Sequence, residues 1–204
     1  YNFLISCFVS IIRKSSFADD TSPKPYISKR IKKNPSESKK LFTDTVRKNL
    51  KIFQNGDFKL KYKVKFIGND ARKIINKKID HVISSPPYIN AFDYVRILRL
   101  ENLWIDSFKN SEIIEHKKKQ IGTEIISLKD YIKKPKKFGH KILDKKILKV
   151  YSVDRKRAFV VSKYFDDMFL NLENIYNALR VNSFYTIIVG DCLIRNNKFE
   201  TSEY

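Results

Sequence analysis

The sequence predicts an α/β fold with a mostly parallel sheet. Two short apolar segments, DHVIS (80–84) and SFYTIIVGD (183–191), are typical of central strands, because strands buried on both faces are almost continuously apolar. An amphipathic helix is predicted over 164–181, between those strands, and a strand–helix–strand order favours parallel pairing. KLKYKVKF (59–66) alternates apolar and lysine residues, which predicts a further strand at a sheet edge with one solvated face.

The other elements follow from shorter patterns. Residues 1–13 indicate a buried helix or strand, and the periodicity leaves both open. Helical spacing predicts helices over 41–52 and 93–106, and a short helix through Ile75. The polar and basic stretch 15–40 contains three prolines and predicts a loop or extended arm over the surface.

Composition indicates one folded domain with a polyanionic partner. The 204 residues are 42% hydrophobic, enough for a single core. The formal net charge is +20, and residues 107–157 form a basic block of sixteen Lys and Arg against six Asp and Glu. Lysine and arginine neutralise phosphates, so the charge favours nucleic acid, although a merely solvated, lysine-rich surface stays open.

The sequence disfavours a disulfide-rich protein, a metal-binding protein and a membrane protein. The two cysteines are far apart and form no disulfide framework, which fits a reducing cytoplasm. The three histidines lack ligand spacing, so no metal site is predicted. The apolar N-terminal segment is too short to span a bilayer and lacks the basic start of a signal peptide, so no membrane partner is expected.

The segment SSPPYINAFDY (84–94) carries the chemistry. It follows a predicted central strand, and ligands of open α/β sheets bind beyond the carboxyl ends of the strands. The hydroxyl of Ser85 and the carbonyl of Pro86 are suited to accept the hydrogens of an exocyclic base amine, since proline fixes the carbonyl direction. Pro87 ends the strand and fixes this geometry, and Tyr88 is suited to stack on a flipped base.

DHVISSPPYINAFDYVRILRLENLWI resembles motif IV of the amino-group DNA methyltransferases, which use S-adenosyl-L-methionine. Ser at position 85 is typical of their N4-cytosine branch, and Asp or Asn of the N6-adenine branch. FIGNDAR and YFDDM…ALRV…YTIIVGDCLI are similar to flanking segments of the same family. The resemblance implies a partial Rossmann-like methyltransferase sheet, with residues 1–204 as part of the catalytic domain. It also implies that Asp70 and, more weakly, Asp191 lie near the cofactor.

The resemblance implies partners and a location as well. These are double-stranded DNA, a cognate restriction endonuclease of a restriction-modification system, and a prokaryotic-type cytoplasm near the nucleoid. The basic block 107–157 would face DNA, and contacts are expected from Arg96, Arg99, Lys117, Lys118 and Lys119. The plainer interpretation of Arg96 and Arg99 is a capped helix start with solvated side chains.

The chain departs from the family at motif I, a glycine-rich turn that approaches the cofactor closely. Its five glycines are isolated and none forms that turn. Motif I is therefore expected upstream of Tyr1, or beyond Tyr204 in a permuted order, and the 204 residues are expected to be a fragment that is inactive alone.

Three alternatives stay open: an N6-adenine DNA methyltransferase, an N2-guanine RNA methyltransferase, and a non-catalytic DNA-binding remnant. Carbon-5 cytosine methylation is disfavoured, because it needs a catalytic cysteine. Cys192 is interpreted as a small residue near a strand end.

Overall fold

The computed structural model describes residues 2–56, 64–73, 75–89, 93–107 and 109–204. They form a mixed helical and sheet structure that divides into two compact units, residues 1–65 with 93–114 and residues 66–92 with 115–204. The elements in chain order are α1 (Asn2–Ile11), α2 (Ser38–Asn55), β1 (Ile79–Ser84), α3 (Tyr94–Ile97), α4 (Arg99–Trp104), α5 (Ile113–Lys119), α6 (Leu128–Tyr131), α7 (Lys141–Val153), α8 (Arg155–Ala178), β2 (Leu179–Ile187), β3 (Cys192–Ile194) and β4 (Asn197–Phe199).

The first unit is helical and is held by Arg13, just after α1. Its Nε donates to the Glu101 carboxylate at 2.7 Å, and its guanidinium also donates to the Ile97 carbonyl. The predicted polar arm folds back on this region, because Lys33 Nζ donates to the carbonyls of Arg13 at 2.6 Å and Ala18 at 2.8 Å. Residues 15–37 therefore form a loop tied to the end of α1, and the last three residues of the predicted arm begin α2.

The second unit contains the parallel pair that the sequence predicts, but β2 begins at Leu179, inside the predicted helix, and ends at Ile187 instead of residue 191. β1 and β2 run in the same direction, with His81 opposite Phe184 and Ser84 opposite Ile187. The side of the pair that carries Tyr185 is half-buried, and Tyr185 Oη donates to Asn171 on α8 at 3.1 Å. Ile83, Phe184 and Ile188 are 58–72% exposed. The sheet therefore buries one face only partly and leaves much apolar surface exposed on the other.

A second layer packs on α8. Leu143, Ile147 and Val150 of α7 are at most 3% exposed and belong to the same core cluster as Tyr164 and Phe199. β3 and β4 form an antiparallel hairpin. Its two-residue turn, Arg195–Asn196, has positive φ values of 46° and 60°, which matches the twist of the strands it joins.

Several predicted elements differ in the structure. Residues 1–13 hold a helix, α1, which resolves the open choice. The predicted helix over 93–106 is two short helices, α3 and α4, with Leu98 between them. The helix through Ile75 is wrong: residues 70–73 form a turn closed by the Lys73 N–H on the Asp70 carbonyl at 3.1 Å.

The predicted strand at 59–66 lies mostly outside the described residues, and residues 64–66 are irregular. α8 begins nine residues earlier than predicted, at Arg155, where Asp154 accepts a hydrogen bond from the Arg157 N–H and caps the helix. Phe169 and Tyr176 lie on the apolar side of the predicted amphipathic helix but are 59% and 80% exposed, because the two described parallel strands cover only a narrow strip of α8. In the described part of the chain, no helix has the length and apolar character needed to cross a membrane.

Candidate functional site

The candidate site lies in the second unit, where β1 and β2 end. Because the strands are parallel, their carboxyl ends meet at one edge of the sheet. The chain leaves β1 through residues 85–88 and leaves β2 through residues 188–191. The Ile188 N–H donates to the Ser84 carbonyl at 2.9 Å, so the two exits stay joined for one residue beyond β2.

The four residues predicted to be catalytic stand at this edge. Ser85 is exposed, and within the described ranges its hydroxyl makes no hydrogen bond. Pro86 and Pro87 are half-buried and belong to no strand, as expected for residues without an N–H for the ladder. An uncommitted hydroxyl next to a carbonyl of restricted direction is available to hold an amine.

Tyr88 lies against Gly190. A β-carbon built on Gly190 would stand 3.4 Å from Cζ and 3.6 Å from Oη of Tyr88, so the phenol ring contacts the glycine backbone. Tyr88 remains 44% exposed, while Ile89 beside it is fully buried and anchors the loop. The glycine therefore leaves the space that the Tyr88 ring occupies, and a side chain larger than that of alanine would displace the ring.

Tyr164 of α8 lies below the site. It is fully buried, and its hydroxyl has no hydrogen-bond partner among the described residues. Burial, with smaller contributions from Cys192 and Tyr88, raises the pKa of Tyr164 to about 12. Burial likewise raises the pKa of Cys192 to about 11. Cys192 is thus a protonated thiol at neutral pH and not the thiolate that a nucleophilic mechanism requires.

Asp70 is held by Arg72. The guanidinium donates to both carboxylate oxygens of Asp70, at 2.9 and 3.1 Å, and the Arg72 N–H adds a third hydrogen bond at 3.1 Å. These bonds lower the pKa of Asp70 below its ordinary value. Arg72 also pairs with the buried Asp167 of α8 at 3.1 Å. Arg72 thereby fastens residues 70–73 to α8.

Asp191 follows β2 and pairs with Lys198 of β4, with 3.0 Å between Oδ2 and Nζ. This hydrogen bond is the main reason why the pKa of Lys198 is raised. The exit from β2 is thereby tied to the β3–β4 hairpin.

The residues present do not fit S-adenosylmethionine. Both carboxylates expected near the cofactor, Asp70 and Asp191, are engaged by cations of the same chain. No glycine-rich turn follows either parallel strand. The described part of the second unit therefore shows no arrangement that would hold the cofactor.

From this misfit we expect the 204-residue chain to show no micromolar binding of S-adenosylmethionine in isothermal titration calorimetry. S-adenosylhomocysteine serves as a second ligand in the same experiment, since product complexes of such enzymes lack only the methyl group. Saturable binding of either ligand at micromolar concentration would contradict the assignment of Asp70 and Asp191 to structural ion pairs.

The predicted DNA-contacting residues are divided between the two units. Arg96 and Arg99 belong to the first unit, where Arg99 donates to Asn110 at 2.9 Å. The Arg96 N–H is capped by Asp93 at 3.0 Å, as the plainer interpretation held. Lys117, Lys118 and Lys119 form the last turn of α5, where Lys119 pairs with Glu115.

The sequence patterns did not identify two residues of the site, Gly190 and Tyr164. The role of Gly190 could have been predicted, since an isolated glycine at a strand end often marks a close approach of another group. The position of Tyr164 next to the site could not have been predicted, because an aromatic residue on an amphipathic helix usually belongs to the hydrophobic core.

The fold and site define an α/β chain with polar and aromatic residues at the carboxyl edge of a parallel strand pair. No family model, curated protein or solved structure matches the chain. In the described ranges, no cluster of three or more His, Cys, Asp or Glu residues is arranged to hold a metal ion.

Proposed function

We propose that the second unit is the target-base side of an S-adenosylmethionine-dependent methyltransferase that modifies an exocyclic amine, most favourably N4 of cytosine in DNA. One observation carries the proposal: Ser85-Pro86-Pro87-Tyr88 leaves the carboxyl end of β1 beside the parallel strand β2, with the Tyr88 ring against Gly190. The small parallel sheet with α8 on one face is compatible with part of a Rossmann-like methyltransferase sheet.

The acceptor chemistry needs two hydrogen-bond acceptors. The lone pair of an exocyclic amine is delocalised into the aromatic ring, so the nitrogen is a weak nucleophile. The Ser85 hydroxyl and the Pro86 carbonyl would each accept one amine hydrogen, draw the nitrogen toward tetrahedral geometry and localise its lone pair. The exposed, uncommitted hydroxyl of Ser85 supports this role.

Tyr88 would hold the base itself. A base flipped out of a duplex loses its stacking partners, and an aromatic ring restores about 1–3 kcal/mol of that interaction. The contact with Gly190 fixes one side of the Tyr88 ring and leaves 44% of the residue exposed for such a contact.

The cofactor supplies an activated methyl group when it is bound. The described residues of this chain do not fit it, so the proposed role of the chain is limited to binding and orienting the amine. That misfit also favours a second candidate, a non-catalytic DNA-binding remnant that keeps the basic surface without a donor site.

Nucleoside mass spectrometry tests the proposal. The full translation product of the gene that encodes residues 1–204 is incubated with isotope-labelled S-adenosylmethionine and either duplex DNA or, in a parallel reaction, RNA. The nucleic acid is then digested to nucleosides. We expect labelled N4-methylcytosine. Labelled N6-methyladenine would keep the reaction class and change the base, and labelled guanine in an RNA substrate would change the nucleic acid. DNA binding without any labelled nucleoside would establish the remnant instead.

A further inference from the structure

We propose that a lysine groove on α7 of the second unit, defined by Lys137, Lys141, Lys145 and Lys149, binds the phosphate backbone of a nucleic acid. Under the proposed function, this groove is the surface that contacts DNA, and in that respect the inference rests on the proposed function. Its test measures binding alone, so the two proposals fail separately.

Helical spacing sets the lysines on one side of α7. Lys141, Lys145 and Lys149 recur every four residues, so they form a row about 12 Å long, at about 1.5 Å per residue. Leu143, Ile147 and Val150 of the same helix are buried on the opposite side. Lys137 joins the row from the segment before the helix, and together with Leu148 and Ser152 the four lysines line a cavity of about 580 Å³.

The groove has a net positive charge. Within the described residues, none of the four lysines takes part in an ion pair. Asp144 also lines the groove, but its two carboxylate oxygens accept hydrogen bonds from the Phe138 and Gly139 N–H groups, at 2.8 and 3.1 Å. Like charges four residues apart destabilise a helix, so the row costs stability unless an anion lies across it.

The groove is built on a rigid part of the unit. α7 packs on α8 and β4 through its buried side, and the His140 Nδ1 atom caps it by accepting from the Leu143 N–H at 3.3 Å. The Asp144 hydrogen bonds hold residues 138–139 against the helix and so place Lys137 next to the row. The four ammonium groups therefore start from a fixed backbone frame.

A nucleic acid fits this frame better than other polyanions. Phosphates of one strand advance about 3.4 Å per nucleotide, so a 12 Å row spans three to four of them. A helix bound to an acidic membrane surface inserts its apolar side into the lipid. In α7 that side is buried against the protein, which disfavours a membrane.

The salt dependence of DNA binding tests the groove. Fluorescence anisotropy with a labelled 20-base-pair duplex gives the association constant of the 204-residue chain at several NaCl concentrations. In one variant all four groove lysines are replaced by glutamine (K137Q, K141Q, K145Q and K149Q), which has similar helix propensity. Each lost phosphate contact lowers the slope of log K against log salt by about 0.9, so the slope should fall by about 3 to 4 and the affinity by roughly tenfold or more.

A matched variant separates location from net charge. Lys39, Lys40, Lys48 and Lys51 are exposed lysines of α2 in the first unit, and their replacement by glutamine removes the same four charges. We expect this control to change the slope by less than about 1. Circular dichroism on both variants verifies that α7 and α2 remain folded.

Several outcomes would overturn the proposal. One is an equal loss of slope in both variants, which would assign binding to net charge. Others are no duplex binding by the unmodified chain, or binding to phosphatidylserine vesicles that depends on the groove and exceeds DNA binding. Methyl transfer by the full protein with an unchanged slope in the groove variant would sink the groove and keep the proposed function. The converse result would keep the groove alone.

Discussion

Ser85→Ala is expected to lower the rate of methyl transfer by the full protein at least about 100-fold, the effect typical of removing one preorganised hydrogen-bonding group from a reacting centre. The hydroxyl of Ser85 is exposed and uncommitted, so its loss breaks no hydrogen bond seen in the described structure. The fold should therefore stay intact, and kcat should fall much more than the affinity for DNA, because the interaction strengthens as the amine becomes tetrahedral. Labelled methyl incorporation into DNA measures the rate.

Two further variants serve as controls for Ser85→Ala. Ser85→Thr keeps a hydroxyl at the same position and should retain part of the activity. Ser111→Ala removes an exposed serine hydroxyl in the first unit and should leave the rate unchanged. Wild-type kcat in Ser85→Ala would refute the role of the hydroxyl, and equal losses in the alanine and threonine variants would point to disturbance of the loop.

Arg72→Ala should lower the free energy of unfolding of the second unit by about 2–3 kcal/mol, slightly less than the cost of breaking a fully buried ion pair. The Arg72 side chain is only 19% exposed and joins Asp70, the Asp167 carboxylate and the Lys119 carbonyl. Its removal leaves Asp167, with an 8% exposed side chain, paired only with Lys163. Hydrogen exchange of the α8 amides measures the change.

The stabilising effect of the Asp70–Arg72 pair should decrease as the pH falls. Asp70 has a lowered pKa in the folded chain, so its stabilising effect is fully present above its unfolded value of 3.8 and is lost as the pH falls through the folded value. The difference in unfolding free energy between wild type and Arg72→Ala should therefore shrink below pH 3.8. A difference that stays constant from pH 6 to pH 2.5 would contradict the Asp70–Arg72 pair as its source.

Two further variants control for loss of an arginine. Arg47→Ala breaks an exposed pair, 3.9 Å from Asp44, and should change stability by less than about 0.5 kcal/mol. In the double variant Arg72→Ala with Asp167→Asn, the buried carboxylate that lost its arginine partner is replaced by a neutral amide, and part of the lost stability should return. A double variant less stable than the single one would show that Asp167 is stabilised without Arg72.

The sequence indicated the parallel strand pair and its partner helix because those elements follow from local patterns. β1 and β2 are apolar runs of strand length, and α8 has a helical period. The break near Leu98 and the turn at residues 70–73 are instead accompanied by contacts with particular partners, from Arg13 to the Ile97 carbonyl and from Arg72 to Asp167 of α8. Such contacts join residues distant in the sequence and leave no periodic signal.

Some features of the candidate site could likewise be predicted from the sequence, and others could not. Proline pairs at strand ends are visible in sequence, so residues 85–88 were found. The contact of Tyr88 with Gly190 joins residues about a hundred positions apart and required the strand register. The charge of residues 107–157 indicated a basic region, yet its composition did not distinguish Lys119, paired with Glu115, from the unpaired lysines of α7. Pairing is a property of geometry and not of composition.

The exposed face of the parallel pair has a consequence for how copies of the chain behave in solution. Ile83, Phe184 and Ile188 present interior-like surface to water, which favours self-association. The net charge of +20 opposes association through mutual repulsion at low ionic strength. Salt screens that repulsion within about 8–10 Å but leaves apolar attraction in place, so the chain should become more prone to cluster as salt rises. Its colloidal stability thus depends on the same lysines that we propose bind a polyanion.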